Sequence, residues 1–425
     1  MAGRIAHMRQ MTVFTGISRL AGGALAVALV AGGIAPANAD EAANRIAVDH
    51  LYAGTLAAGD AELAAILAAD PKNDDARIGL GTIRFVRSIE TVSQGLYRYG
   101  LKTPRSFLLP ILRLPVPENP NPEPIVFADF QALVAGFSKD LASAEVTLVG
   151  VGPEVKLRLD LRKIHYDING DGKILEDESF IAVMQQMTGM PSDAMPVELT
   201  FAFDQGDALW LRGYCHVLMG FSDFIVAHDW HESFDATFHH FFPKMESAFA
   251  AALAPADDNN PMYVEGAPIA DFISFFHIRW PVADPALMAG VRNHIKSMIA
   301  LSRESWDSIE AETDDDLEWL PNAHQKSPFE SVQVSAEQIT AWRSVLDQAE
   351  EVIDGRKLVP HWRFTKGFNL ARVFDEPQPF DTVLWITGPA ALPYLEDGPV
   401  STSEDWNRMV EAFGGNFGIF AVWFN

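Results

Sequence analysis

The chain has 425 residues, a formal net charge of −25 and one cysteine. So acidic a surface repels nucleic acid and anionic membranes and attracts cations, and a lone cysteine excludes an internal disulfide framework. With 28 Phe and 10 Trp the chain can bury a large aromatic core, enough for two or three domains.

Arg4, Arg9 and Arg19 precede the apolar run LAGGALAVALVAGGIA, which closes on Ala37-Asn38-Ala39. A basic start, a short apolar middle and an A-x-A exit make residues 1–39 a secretory signal peptide, so the mature protein is expected to be exported, periplasmic or secreted. Loss of those arginines leaves the mature chain, from Asp40, more acidic still. No later run reaches the ~18 apolar residues of a membrane span, so the mature chain is expected to carry no transmembrane segment.

Residues 40–103 carry helical periodicity. In AELAAILAADPKNDDARIGLGTIRF a helix stops at Asp70-Pro71 and restarts across Asp74 and Asp75. Leu63, Ile66 and Leu67 line one face, and Ile78, Leu80 and Phe85 another, as in an antiparallel helical hairpin. The DPKN junction followed by Leu80-Gly81 resembles the joint between tetratricopeptide repeats over residues 60–86. No second copy follows at a period of about 34 residues, so a repeat array is not expected. Seven prolines between Pro104 and Pro124 then make residues 104–125 an extended linker and a first domain boundary.

The next segment, residues 126–190, opens with helical spacing over 127–144. VKLRLDL then places Val155, Leu157, Leu159 and Leu161 on one side, and VELTFAF does the same with Val197, Leu199, Phe201 and Phe203. Both alternate as half-buried strands do, and their pairing would make a small β element. They bracket DINGDGKILEDE, residues 167–178.

A hard cation such as calcium takes six to eight oxygens, and a twelve-residue loop can wrap them around it. Asp167, Asn169 and Asp171 supply side-chain oxygens at the first, third and fifth places, Lys173 a backbone carbonyl at the seventh, and Glu178 a bidentate carboxylate at the twelfth. Gly172 stands sixth, where the turn needs a positive φ. On these residues the segment resembles an EF-hand loop, which implies calcium as the cofactor. Three features depart from that pattern. Leu175 stands ninth, where water must then complete the sphere, Ser179 follows Glu178 where an apolar residue would usually begin the exiting helix, and the lead-in alternates like a strand instead of a helix. DDNNPMYVE and ETDDDLE lack the turn glycine and the spacing, so the loop is expected to be single, and its ion structural.

Residues 191–425 read as an aromatic-rich, mostly helical region. Asp284-Pro285 is an N-cap with proline at the first helical position, opening a helix to about residue 312. Ser335 with Gln338 is a capping box, Ile339, Trp342, Leu346, Ala349 and Ile353 mark one buried face, and Asp354-Gly355 ends the helix. In the last 65 residues only a helix over 404–413 is expected.

HDWHESFDATFHHFF holds the densest histidines. If it is helical throughout, His228, Glu232, Asp235 and His239 share a face, and His231 and Asp235 are four apart, a second metal or catalytic cluster. The competing reading is an aromatic core helix whose polar groups are hydrogen-bonded at its rim. Cys215 precedes His216 and is expected to lie buried on an amphipathic helix. There is no Walker loop and no G-x-S-x-G elbow.

The expected molecule is therefore mainly α, built of helical hairpins and bundles with a small β element beside an EF-hand-like loop. Its expected role is that of an exported calcium-binding protein, meeting a protein partner through helical surfaces as a binding or scaffold protein. The alternative is an extracytoplasmic hydrolase with structural calcium and a His/acid site in residues 228–240.

Overall fold

The computed structural model describes residues 36–103, 110–188, 199–253, 266–328 and 334–404, together with positions 260, 407, 411 and 413. Most of the expected signal peptide and most of the expected 404–413 helix lie outside these residues. The architecture is mainly α with small antiparallel sheets, and no helix among the described residues is long and apolar enough to cross a membrane.

Three helices open it: α1 (Pro36–Ala53), α2 (Leu56–Ala69) and α3 (Asp74–Arg98). The α2–α3 turn falls at Asp70-Pro71 as the sequence predicts, and Asn73 caps α3 by accepting from Ala76 N at 2.7 Å. The hairpin is joined by α1, which packs on both of its helices.

The proline-rich stretch does not separate independent units. Leu112, Leu114 and Ile125 are buried in the same continuous core that runs from Ala43 to Phe413. Lys102 N donates to Phe241 O and Glu123 N to Arg98 O, which ties both ends of the stretch to the body, its residues 104–109 lying outside the described residues. Proline supplies no N–H and a fixed φ, so such a stretch suits a surface strap held by its few remaining donors.

Helix α4 (Phe127–Leu148) follows, then strand β1 (Leu157–Asp160), a 3-10 turn (Leu161–Lys163) and α5 (Phe180–Thr188). Strand β2 (Thr200–Phe203) pairs antiparallel with β1, Leu157 opposite Phe203 and Leu159 opposite Phe201. These inward side chains are the alternating set seen in the sequence. The long α6 (Gln205–Val226) starts from Asp204, whose side chain caps it in a capping box with Asp207.

Short helices α7 (His231–Thr237), α8 (Ala248–Ala252) and α9 (Ala267–Phe276) precede β3 (Arg279–Trp280) and the 27-residue α10 (Pro285–Ala311). Asp284 caps α10 and proline begins it. Helix α11 (Ala336–Ile353) carries the reciprocal Ser335/Gln338 box. It ends at Asp354, before Gly355 at φ 73°. Beyond it are β4 (Val359–Pro360), β5 (Gly367–Phe368), α12 (Leu370–Asp375), β6 (Phe380–Asp381), α13 (Thr382–Thr387) and β7 (Leu395–Glu396). Strands β4, β5 and β7 form a small sheet, and β6 pairs with β3.

The main helices pack in series, α3 on α4, α4 on α6, α6 on α10 and α10 on α11. Between α3, α4, α6 and the β1–β2 element the packing leaves an apolar cavity of about 330 Å³.

Candidate functional site

The 167–178 loop is built between β1 and α5, and its ends are fastened to each other. Tyr166 N donates to Glu178 O and Phe180 N to Ile164 O, both at 2.9 Å, around an antiparallel bridge between His165 and Ser179. The lead-in is a strand and one 3-10 turn instead of a helix, because Ile164, Tyr166 and Ile168 alternate into the core. Gly170 and Gly172 take φ 71° and 75°, which turns the chain back on itself.

The loop's acceptors converge on its own backbone. Asp167 Oδ2 accepts from Gly172 N at 3.0 Å, Asn169 Oδ1 from Asp171 N at 2.8 Å, and Asp171 Oδ1 from Lys173 N at 2.8 Å. Glu178 Oε1 accepts from Ile168 N and Asn169 N, and Oε2 from Leu175 N. Glu178 is only 1 % exposed, and among the described residues no ion pair neutralises it. Burial accordingly pushes its carboxyl above the usual range, against the lowering effect of these N–H groups. Asp167 Oδ1 is buried with no hydrogen-bond partner. Leu175, at the ninth place, is 47 % exposed, so solvent reaches that side of the loop.

The rest of the molecule holds the loop from behind. Gln94 on α3 donates to Asp167 O at 2.7 Å, and Glu90 Oε2 accepts from Asp167 N at 2.8 Å. Burial raises the Glu90 carboxyl to about 7. On the other side Ile174 lies against Gly54, where a Cβ would come within 2.5 Å of Ile174 Cδ1. Gly54 also has φ 63°, a backbone conformation that favours glycine there.

These observations test whether the donor set fits calcium. Asp167, Asn169, Asp171 and Glu178 offer oxygens only, each retaining acceptor capacity after its backbone bond. The orphaned Asp167 Oδ1 and the unpaired Glu178 are what a hard cation would satisfy.

The histidine-rich stretch does not form the expected cluster. Its backbone leaves the helix after α6, where Asp229 N donates to Pro281 O, Ala283 N donates to Ala227 O, and His228 bridges Val282. Those bonds occupy groups that a continuous helix would use, and α7 restarts only at His231. His228 is 1 % exposed, its Nδ1 2.7 Å from Phe224 O, and burial lowers its pKa. His231 and Glu232 are exposed, and Asp229 at 2.7 Å from the His231 Nδ1 raises that imidazole's pKa. Asp235 is partly buried on α7. His239 stands apart with His240 and Asp271, their ligand atoms within 4.8 Å of one another. No three of His228, His231, Glu232, Asp235 and His239 converge in this way. The phenylalanines around them are packed edge to face with Trp230, as in an aromatic core.

Two polar assemblies are not expected from the sequence, where ETDDDLE, residues 312–318, is set aside as a calcium loop. At the start of α6, Asp204, Glu312 and Glu318 place ligand atoms within 4.8 Å of one another, with Asp207 alongside. Burial first, and then mutual repulsion, raises Glu312 to about 8 and Glu318 to about 7, and pushes Asp207 well up as well. Much of this set is helix capping, since Asp204 Oδ1 accepts from Gly206 N and Asp207 Oδ2 from Asp204 N. The second assembly links α4, α6 and α10. Ser138 Oγ donates to Asp223 Oδ1, Asp223 Oδ2 meets His294 Nε2 at 3.2 Å, and His294 Nδ1 meets His216 Nδ1 at 2.8 Å. Partners 71 to 85 residues apart leave no local signal. Cys215, next to His216, is fully buried.

No protein-family model matches this chain, and no curated protein or solved structure is significantly similar to it.

Proposed function

We propose that this is an exported calcium-binding protein with one structural ion, acting as a binding or scaffold protein. Asp167, Asn169, Asp171, the Lys173 carbonyl and Glu178 would hold the ion, drawing together carboxylates that in this structure do not all lie within 4.8 Å of one another, with Glu178 buried and Asp171 exposed. The observation that carries the reading is Asp167 Oδ1, buried without a partner in the same loop as the buried, unpaired Glu178. Further support comes from the left-handed Gly172 and from the anchoring of the loop to Glu90 and Gln94. A loop whose two ends are already bridged has little freedom to swing a helix, which favours a staple over a switch. Export rests on the basic and apolar N-terminal pattern and its A-x-A exit. Equilibrium dialysis of purified protein against radioactive calcium tests the reading: one ion per chain is expected, and no saturable binding at millimolar calcium would end it.

A further inference from the structure

The geometry points to the cavity between α3, α4, α6 and the β1–β2 element as a binding site for one small amphiphile. Its body would be an aliphatic chain, and its head a hydrogen-bond donor, a hydroxyl or an amine, bonded to Asp207. The volume of about 330 Å³ lies within the range of small-molecule pockets, whose linings are likewise mostly apolar with a few placed polar groups. Val86, Val134, Leu159, Phe180, Leu211 and Trp319 represent a wall that is almost wholly apolar. Water fills such a space poorly, since each molecule needs two to four polar partners. At about 30 Å³ per heavy atom, the share of a liquid water molecule, the cavity takes about eleven atoms, the size of a ten-carbon alcohol.

The polar end follows from charge. Asp207 is the only acidic or basic side chain among the described residues that line the cavity, and it is 5 % exposed. Its Oδ2 takes one N–H, from Asp204, which leaves acceptor capacity on the carboxyl. Asp204, Glu312 and Glu318 are clustered next to it, carboxyls so crowded and buried that negative charge is already disfavoured among them, so a further carboxylate is disfavoured there while a donor head is not. Ser222 is already committed, donating to Leu218 O at 2.9 Å. The wall reaches solvent along α6, where Phe221 is 42 % exposed. None of the five proposed calcium ligands lines the cavity, so the two readings stand or fall separately.

Calorimetric titration of the mature protein in calcium with 1-decanol, decylamine and decanoate, each below its aggregation threshold, tests the inference. Decanol and decylamine should bind one per chain, and decanoate at least about tenfold more weakly. Val134→Phe, which fills the cavity from α4, should weaken decanol by more than about tenfold with the near-ultraviolet spectrum unchanged. If that variant does not fold, Leu211→Trp puts the same question from the half-buried side of the wall. Absence of decanol binding, decanoate binding as tightly as decanol, or full decanol affinity in a folded, filled variant would each overturn the assignment. Decylamine binding alone would also overturn it, as attraction to the protein's net charge.

Discussion

Replacing Glu178 with glutamine separates what the side chain does as a hydrogen-bond acceptor from what it does as a charge. In the structure its two oxygens accept three backbone N–H groups, from Ile168, Asn169 and Leu175. Glutamine keeps one carbonyl oxygen for the Ile168 and Asn169 pair but turns an NH₂ towards Leu175 N, losing about 1 kcal/mol. In chelator that loss is offset, because the buried carboxylate no longer has to be desolvated, and the variant should match the parent to within about 1 kcal/mol. In calcium the two should diverge. An ion present at a hundredfold its dissociation constant adds about 2.7 kcal/mol to the parent. With an unfolding entropy on the order of 0.8 kcal/mol/K for a chain of this length, that is a midpoint rise of about 3 °C. Differential scanning calorimetry of both proteins, with calcium and with chelator, reads the difference directly. Equal calcium-dependent shifts in the two proteins would refute the role given to Glu178, and no shift in the parent would remove the ion itself.

Other perturbations follow from the same contacts. Gly54→Ala brings a Cβ within 2.5 Å of Ile174 Cδ1 at a backbone φ of 63°. It should destabilise the protein by about 1 to 2 kcal/mol in urea titration, and a neutral result would mean that the loop is not braced there. The acid group at the start of α6 predicts a stability that falls with pH. Glu312 and Glu318 hold their protons to about 8 and about 7 when folded but lose them near the ordinary carboxylate range when unfolded. The folded state therefore binds more protons across the interval from about 4.5 to 8, and their contribution is lost as pH rises through it. At fixed calcium the denaturation midpoint should be higher at about pH 5.5 than at about pH 8.5, and Glu318→Gln should flatten that slope; an unchanged slope would exclude Glu318 as its source.

Local chemistry made much of the fold legible. Asp284-Pro285, the Ser335/Gln338 box and the Asp354-Gly355 stop each satisfy or end a helix with residues close in sequence, so their positions survive into the structure. The same holds for the paired alternating strands and for the twelve-residue loop, whose bonds run within a dozen residues. What escaped is set by distant partners. Periodicity alone carries the 228–239 stretch through as one helix, but hydrogen bonds to Pro281 and Ala227 claim its backbone first. The prolines of 104–125 mark a break in regular structure correctly, yet cannot say that Leu112 and Ile125 return to the common core. Nor does an apolar pattern state how fully the space behind it is filled, which is why the cavity had no sequence signature.

Cys215 gives this molecule a built-in clock. It is fully buried on α6, and desolvation pushes its thiol far above the ordinary range, so almost no thiolate forms in the folded state. Its neighbour Tyr214 lines the cavity. A disulfide reagent can therefore react only when α6 comes away from its packing, and the rate of labelling times that opening at one known atom. Because no other cysteine competes, the native sequence reports on its own breathing without any engineered probe.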